Sequence, residues 1–208
     1  MFDSELLLKI YAAGCFPMWD EANEETGMFR PDPRAIIEFD QLHVPRRLRK
    51  RIRQRPFRIT TDLAFEAVLD ACHEGRVDGC WCSPEMEVAY LELHERGFAH
   101  SVEAWLGDDL VGGLYGVHLA AGFMAESKFS LPEFGGTDAS KIVLVETVQS
   151  LQAAGFELFD VQFRNDHIDQ FGVAEITVDQ YEQRLAAAMV HPRDWPVDAD
   201  GERLVLIG

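Results

Sequence analysis

The chain has 208 residues, 47% of them hydrophobic and 26% charged, with a formal net charge of -17. That is enough apolar chain for one full core plus a smaller lobe. Four cysteines (Cys15, Cys72, Cys80, Cys82), with acidic Asp3 and Glu5 near the start and no charged-then-apolar leader, argue against secretion and a disulfide framework and for a cytoplasmic protein; the apolar runs are too short to span a bilayer, so no membrane partner is expected.

In chain order, Ser4 is a candidate cap for a helix to about Ala13, with Leu7, Ile10 and Tyr11 on one face and Gly14 as its stop. Residues 16–19, Phe-Pro-Met-Trp, suggest an aromatic turn, and 20–25 an acidic loop. The run 30–34, Arg-Pro-Asp-Pro-Arg, is a rigid connector into a strand over 35–39. Between Gln41 and Arg58 lie Arg46, Arg47, Arg49, Lys50, Arg51, Arg53, Arg55 and Arg58 with no acid among them, which leaves 11 basic and 36 acidic residues elsewhere, a balance of -25. One concentrated basic segment on an acidic protein is either a footprint for nucleic-acid phosphates or a solvated helix.

Thr60, Thr61 and Asp62 suggest the cap of a helix carrying Phe65, Val68, Leu69 and Cys72, and the domain boundary is placed near 57–60. Ser83-Pro84-Glu85 starts a helix with Met86, Ala89, Tyr90 and Leu93 as its buried stripe, and Gly97 stops it. Strands follow at 99–106, 110–119 and 122–129, an antiparallel meander. Asp138 is a candidate cap for a long helix to Ala154, with Leu144, Val148 and Leu151 inward, and Gly155 closes it. A strand over 157–162, a short helix around 167–171 and a last helix over 179–190 complete an α+β pattern.

Glu126 is a carboxylate inside an apolar run, costly to bury without a partner. Strand alternation puts Asp160 and Gln162 on one face and Val161 on the other. Three polar groups therefore converge on an apolar sheet. On the residues alone they are either a site or buried hydrogen-bonding partners.

Seven ordered motifs carry a resemblance to a known family: YAAGCFPM (11–18), PDPR (31–34), LHERGFAHSVE (93–103), LVGGLYG (110–116), ESKFS (126–130), DASK (138–141) and DVQ (160–162). The chain resembles the leucyl/phenylalanyl-tRNA–protein transferases, bacterial enzymes that add Leu or Phe from its tRNA to proteins beginning with Lys or Arg. The resemblance implies a small N-terminal domain (1–58) ending in a tRNA-contacting basic segment, and a catalytic domain (59–208) of the N-acetyltransferase-like (GNAT-like) fold with a mostly antiparallel sheet flanked by helices. It implies aminoacyl-tRNA (Leu, Phe or Met) and acceptor proteins with an exposed N-terminal residue as partners, a role in N-end rule degradation, and no cofactor or metal. Glu126 and Gln162 would orient the reacting groups, with Asp160 positioning Gln162 and the amine. Leu114, Phe123 and Phe159 would line the pocket for the donor side chain, Trp81 and Tyr90 would lie near the terminal adenosine, and Arg46, Arg47, Lys50 and Arg51 would grip the tRNA. Departures from the family pattern are Ala125 for Gly, Lys128 for Met, Val161 for Cys and Asp138 for Asn. Lys128 stands nearest the chemistry and implies either a weaker tolerance of Lys- and Arg-starting acceptors or a preference altered toward acidic residues.

An acyl-CoA-dependent N-acetyltransferase is the alternative enzyme, but no Gly-rich pyrophosphate cradle precedes the Asp138 helix. A non-catalytic tRNA- or protein-binding adaptor is the other alternative. Zinc at Cys72, His73, Cys80 and Cys82 is disfavoured by their spacing.

Overall fold

The computed structural model describes residues 2–20, 23–73 and 82–198; Cys80 and Trp81 lie outside the described residues. The elements run α1 (Ser4–Ala12), β1 (Phe16–Asp20), β2 (Glu25–Phe29), β3 (Arg34–Ile37), α2 (Arg46–Arg53), β4 (Arg58–Thr61), α3 (Phe65–His73), α4 (Pro84–Glu95), β5 (Ala99–Leu106), β6 (Asp109–Leu119), β7 (Gly122–Ser130), α5 (Ala139–Ala153), β8 (Leu158–Gln162), α6 (Asp166–Asp169), β9 (Val173–Ile176) and α7 (Val178–Met189).

Helix starts follow local side-chain chemistry. Ser83 caps α4 by accepting the Met86 amide, and Thr177 with Gln180 forms a capping box on α7. At α1 the cap is Asp3, one residue before the expected Ser4. Asp138 precedes α5 but gives it no side-chain cap. Its φ is +63°, and its carboxylate instead accepts from Lys141 Nζ at 2.8 Å. Thr60 and Thr61 belong to β4, not to a helix cap, because their hydroxyls donate to Glu103 and to the Ser101 carbonyl across the sheet. Residues 16–19 are likewise no turn. They form β1, paired antiparallel to β2 from Phe16↔Phe29 to Asp20↔Glu25.

Among the described residues the main sheet has seven strands in the order β4-β5-β6-β7-β8-β3-β9. All neighbours are antiparallel except β7 and β8, so the α+β expectation holds with one parallel pair at its centre. Side-chain alternation sends successive residues to two separate cores. Tyr115, Met124, Leu158 and Ile36 pack under α1, α3, α4 and α7, whereas Leu114, Phe123, Phe159 and Ile37 pack under α2, α5 and α6. Burial on both faces explains why these strands read as continuous apolar runs in the sequence.

Two irregularities at the centre matter for function. Pairing between β6 and β7 steps from Tyr115↔Ser127 to Gly116↔Ala125, so Glu126 is the extra residue of a β-bulge. Pairing between β7 and β8 covers only Gly122↔Leu158 to Met124↔Asp160, although β7 continues to Ser130. Gly116 stands beside the bulge, where a Cβ would lie 2.3 Å from the Met124 carbonyl oxygen and 2.6 Å from the Phe123 ring. Gly116→Ala is therefore expected to cost roughly 1–3 kcal/mol through overpacking, read as a lower urea midpoint with an unchanged slope. Gly97→Ala, where a Cβ meets nothing within 4 Å, carries only the cost of its left-handed backbone, about 1 kcal/mol.

Candidate active site

A cavity of about 260 Å³ opens where β7 and β8 stop pairing. Glu126, Ser127 and Lys128 from β7, Gln162 at the end of β8 and Asn165 beyond it give it polar groups, while Leu114, Leu144, Val161 and Ile168 form an apolar wall. Phe16, Pro17 and Met18 of β1 close another side.

Glu126 sits on this boundary because the bulge re-aims it. Gln162 Nε2 donates to its Oε1 at 2.6 Å, and Tyr90 donates to its Oε2 at 3.3 Å. Tyr90 in turn shares a 2.7 Å hydrogen bond with the Tyr11 hydroxyl. Enclosure by these apolar and neutral groups raises the Glu126 carboxyl from 4.5 to about 7, chiefly through desolvation, with the Gln162 and Tyr11 hydrogen bonds pulling the other way. A carboxylate balanced between its two protonation states near neutral pH suits proton transfer.

Gln162 is held from behind. Its φ of +64° is unusual for a residue with a side chain, and its amide donates to Asp160 Oδ1 at 2.8 Å. This turn breaks the expected alternation, so Val161 and Gln162 both border the cavity while Asp160 stays buried. Arg34 meets Asp160 in a bidentate pair, with Nε at 2.9 Å from Oδ1 and Nη2 at 2.5 Å from Oδ2. Tyr181 adds a third donor at 2.8 Å. Arg34 also lies between the Phe16 and Tyr181 rings, 4.7 and 4.5 Å from their centroids. Opposed charges in a dry, hydrogen-bonded setting make a rigid post for the Gln162 backbone.

Glu126, Gln162, Lys128 and Leu114 thus meet at one cavity. Phe123 and Phe159 are buried behind it, with ring centroids 5.6 Å apart, and Tyr90 lies buried beneath Glu126. Trp81 falls outside the described residues. Sequence reasoning placed Tyr11 and Leu144 only in helix stripes and assigned no part in the site to them or to Arg34, Tyr181 and Ile168. A lone arginine opening an otherwise apolar strand was the available signal for Arg34.

The basic segment folds as α2, anchored by buried Leu48. Arg46, Arg49, Lys50 and Arg53, spaced i, i+3, i+4, i+7, line a shared surface groove. Arg47 is exposed on another face, and Arg51 is half-buried over the Phe57 ring at 5.9 Å. Among the described residues, no carboxylate lies within 4 Å of the helix's basic groups. Helical periodicity is the signal that groups Arg49 and Arg53 with Arg46 and Lys50 on one face, apart from Arg47 and Arg51. No helix among the described residues is long and apolar enough to cross a membrane.

The raised Glu126 carboxyl fixes a sign for stability. Between pH 4.5 and 7 the unfolded chain loses this proton while the folded chain keeps it, so the contribution of Glu126 falls as pH rises through that window and is flat outside it. Glu126→Gln should therefore gain stability relative to the parent by about 1–2 kcal/mol on going from pH 5 to pH 8, the full value being reduced because the carboxylate borders the cavity. Urea midpoints at both pH values check this, and an unchanged difference would mean an ordinary carboxyl.

Residues 36–186 match the family model described as leucyl/phenylalanyl-tRNA protein transferase. Proteins named leucyl/phenylalanyl-tRNA–protein transferase are similar over nearly the whole chain. The one from Salinibacter ruber is 44% identical over 202 residues, covering 95% of this chain and 85% of its own. That from Phenylobacterium zucineum is 47% identical over 199 residues (93% and 87%), and one from Caulobacter vibrioides is 43% identical over 199 (93% and 89%). A cavity built on the ESKFS and DVQ motifs and a match of this extent lead to one conclusion: the chain belongs to the leucyl/phenylalanyl-tRNA–protein transferase family, a family of aminoacyltransferase enzymes.

Proposed function

We propose that this enzyme moves Leu, or Phe or Met, from its tRNA to the N-terminal amine of acceptor proteins, marking them for N-end rule degradation in the cytoplasm. The observation that carries the reading is Glu126, with its carboxyl near 7, hydrogen-bonded to Gln162 at the rim of an apolar cavity. An aminoacyl ester is already activated, and an α-amine with a pKa of about 7.7–8 is partly neutral at pH 7, so no nucleophilic side chain is needed. The amine nitrogen bonds to the ester carbon and passes a proton to Glu126. The carbon–ribose oxygen bond then breaks, and the departing oxygen recovers that proton. Gln162 Nε2 directs one hydrogen to Glu126, and its second is offered to the developing oxyanion. Asp160 acts on the reaction through Gln162, as a positioning residue.

Leu114, Leu144, Val161 and Ile168 form the wall that takes the donor side chain in this reading, with Phe123 and Phe159 supporting it. The early end of parallel β7–β8 pairing supports an N-acetyltransferase-like catalytic unit over 59–208, to whose sheet the N-terminal unit of this reading contributes β3. Helix α2 contacts tRNA phosphates, which position the donor without reading its sequence.

Incubation with leucyl-tRNA and peptides starting with Lys, Arg, Asp, Glu or Ala tests the activity directly; no transfer to any of them removes the proposal. Reversing Arg46, Arg49, Lys50 and Arg53 to Glu should flatten the log–log salt dependence of tRNA binding by about 3. Transfer from a minimal aminoacyl-adenosine should survive, and equal loss with both donors would make the helix merely structural.

Lys128 lines the same cavity as Glu126. Its ammonium disfavours a cationic acceptor there and favours an acidic one, since unit charges about 4 Å apart near a surface interact by a few kcal/mol before desolvation. Lys128→Met should accordingly raise transfer to Lys- and Arg-starting peptides and lower it to Asp- and Glu-starting ones. An unchanged profile would assign the family's Lys/Arg preference to this enzyme.

A further inference from the structure

The end of α3 and the start of α4 meet over a cluster that the transfer chemistry does not use. His73 Nδ1 lies 3.1 Å from Glu87 Oε1. Cys82 Sγ joins them, and all three potential ligand atoms lie within 4.8 Å of one another. Their placement follows from the secondary structure. His73 is the last residue of α3, Cys82 directly precedes the Ser83 cap, and Glu87 lies in the first turn of α4.

We propose that His73, Cys82 and Glu87 form a binding site for a zinc-like divalent cation that staples α3 to α4. An imidazole, a thiol and a carboxylate together suit a borderline-soft cation, and they suit hard magnesium or calcium poorly. Tetrahedral bonds of about 2.0–2.1 Å to nitrogen and oxygen place those two ligand atoms roughly 3.3 Å apart, close to the His73–Glu87 separation of 3.1 Å. A bond of about 2.3 Å to sulfur requires a sulfur–nitrogen separation of roughly 3.6 Å, within reach of the present cluster by a small shift.

The second nitrogen of the imidazole is already oriented. His73 Nε2 lies 2.9 Å from the buried Tyr115 hydroxyl, so when a cation displaces the Nδ1–H···Glu87 hydrogen bond the imidazole proton shifts to Nε2 and is received by Tyr115, which turns the Nδ1 lone pair to the cation. Cation binding removes the thiol proton of Cys82, which leaves to solvent, and the two positive charges offset the thiolate and the carboxylate. Water takes the fourth position.

Glu87 is what the cysteine and histidine spacing could not reveal. The site also has a structural consequence beyond the staple. Tyr115 packs edge-on against Tyr90 at 5.4 Å, and Tyr90 reaches Glu126, so the cation would fix the layer behind the cavity without touching substrate.

The test uses the full chain, stripped with a chelator and titrated with cobalt(II) or zinc. One equivalent of cobalt should give a near-ultraviolet thiolate-to-metal charge-transfer band that zinc abolishes. Zinc at about a hundredfold excess over its Kd should raise Tm by roughly 5–10 °C. Because His73 is buried against Tyr115, its removal endangers folding, so near-isosteric changes decide the matter. Cys82→Ser should lose the charge-transfer band, and Glu87→Gln should weaken zinc binding about tenfold or more. Absence of the band, its persistence in Cys82→Ser, or zinc affinity unchanged in Glu87→Gln would each overturn the site. If Cys82→Ser does not fold, the zinc affinity of Glu87→Gln decides by itself: a loss supports the site and an unchanged value overturns it.

Discussion

The buried pair of Arg34 and Asp160 is the interaction on which the rest of the site depends. Neither charge has meaningful contact with solvent, and each would be expensive alone. Their bidentate geometry, the Tyr181 hydroxyl and the Gln162 amide together occupy the acceptor positions of the carboxylate. Breaking such a pair from one side costs about 3–5 kcal/mol, which is a large share of the stability of a domain this size. Arg34 opens β3, Asp160 lies in β8 and Tyr181 in α7, so the pair also ties together segments far apart in the chain.

From this post the geometry runs outward to the cavity. Asp160 fixes the Gln162 backbone in its left-handed turn, Gln162 holds one oxygen of Glu126, and Tyr90 with Tyr11 reaches the other. The bulge at Glu126 and the early end of β7–β8 pairing open the space that the carboxylate borders. A carboxyl raised toward neutrality by apolar enclosure and an amide locked in place are two features that suit the proposed proton transfer and ester aminolysis. The buried layer beneath them is hydrophobic and aromatic, which keeps the local dielectric low and the hydrogen bonds strong.

Electrostatics divide the remaining work. The chain is acidic, yet α2 presents four cations along one face with no carboxylate near them among the described residues. Separation of the basic face from the small apolar cavity fits a substrate with a polyanionic body and a small aminoacyl end. Nothing in this division requires the basic helix to participate in the chemistry.

Signals confined to a few residues were legible in the sequence. The Ser83-Pro84 start of α4 with its stripe of Met86, Ala89, Tyr90 and Leu93, the three-strand meander, the long α5, and the motifs around Glu126, Asp160 and Gln162 all come from caps, periodicity and local pattern. The β1–β2 hairpin was missed because Phe-Pro-Met-Trp has the composition of a turn, and β9 because four residues, of which only Ile176 is buried, carry little periodicity. Placing Glu126 on a bulge, turning Gln162 out of strand alternation, joining Arg34 to Asp160 across 126 positions, and bringing Glu87 to His73 and Cys82 were decided only by the tertiary structure. The reason is physical: caps and periodicity are settled by neighbours within a turn or a strand, whereas the pairing of buried charges depends on sheet register and on which groups the completed core leaves without water.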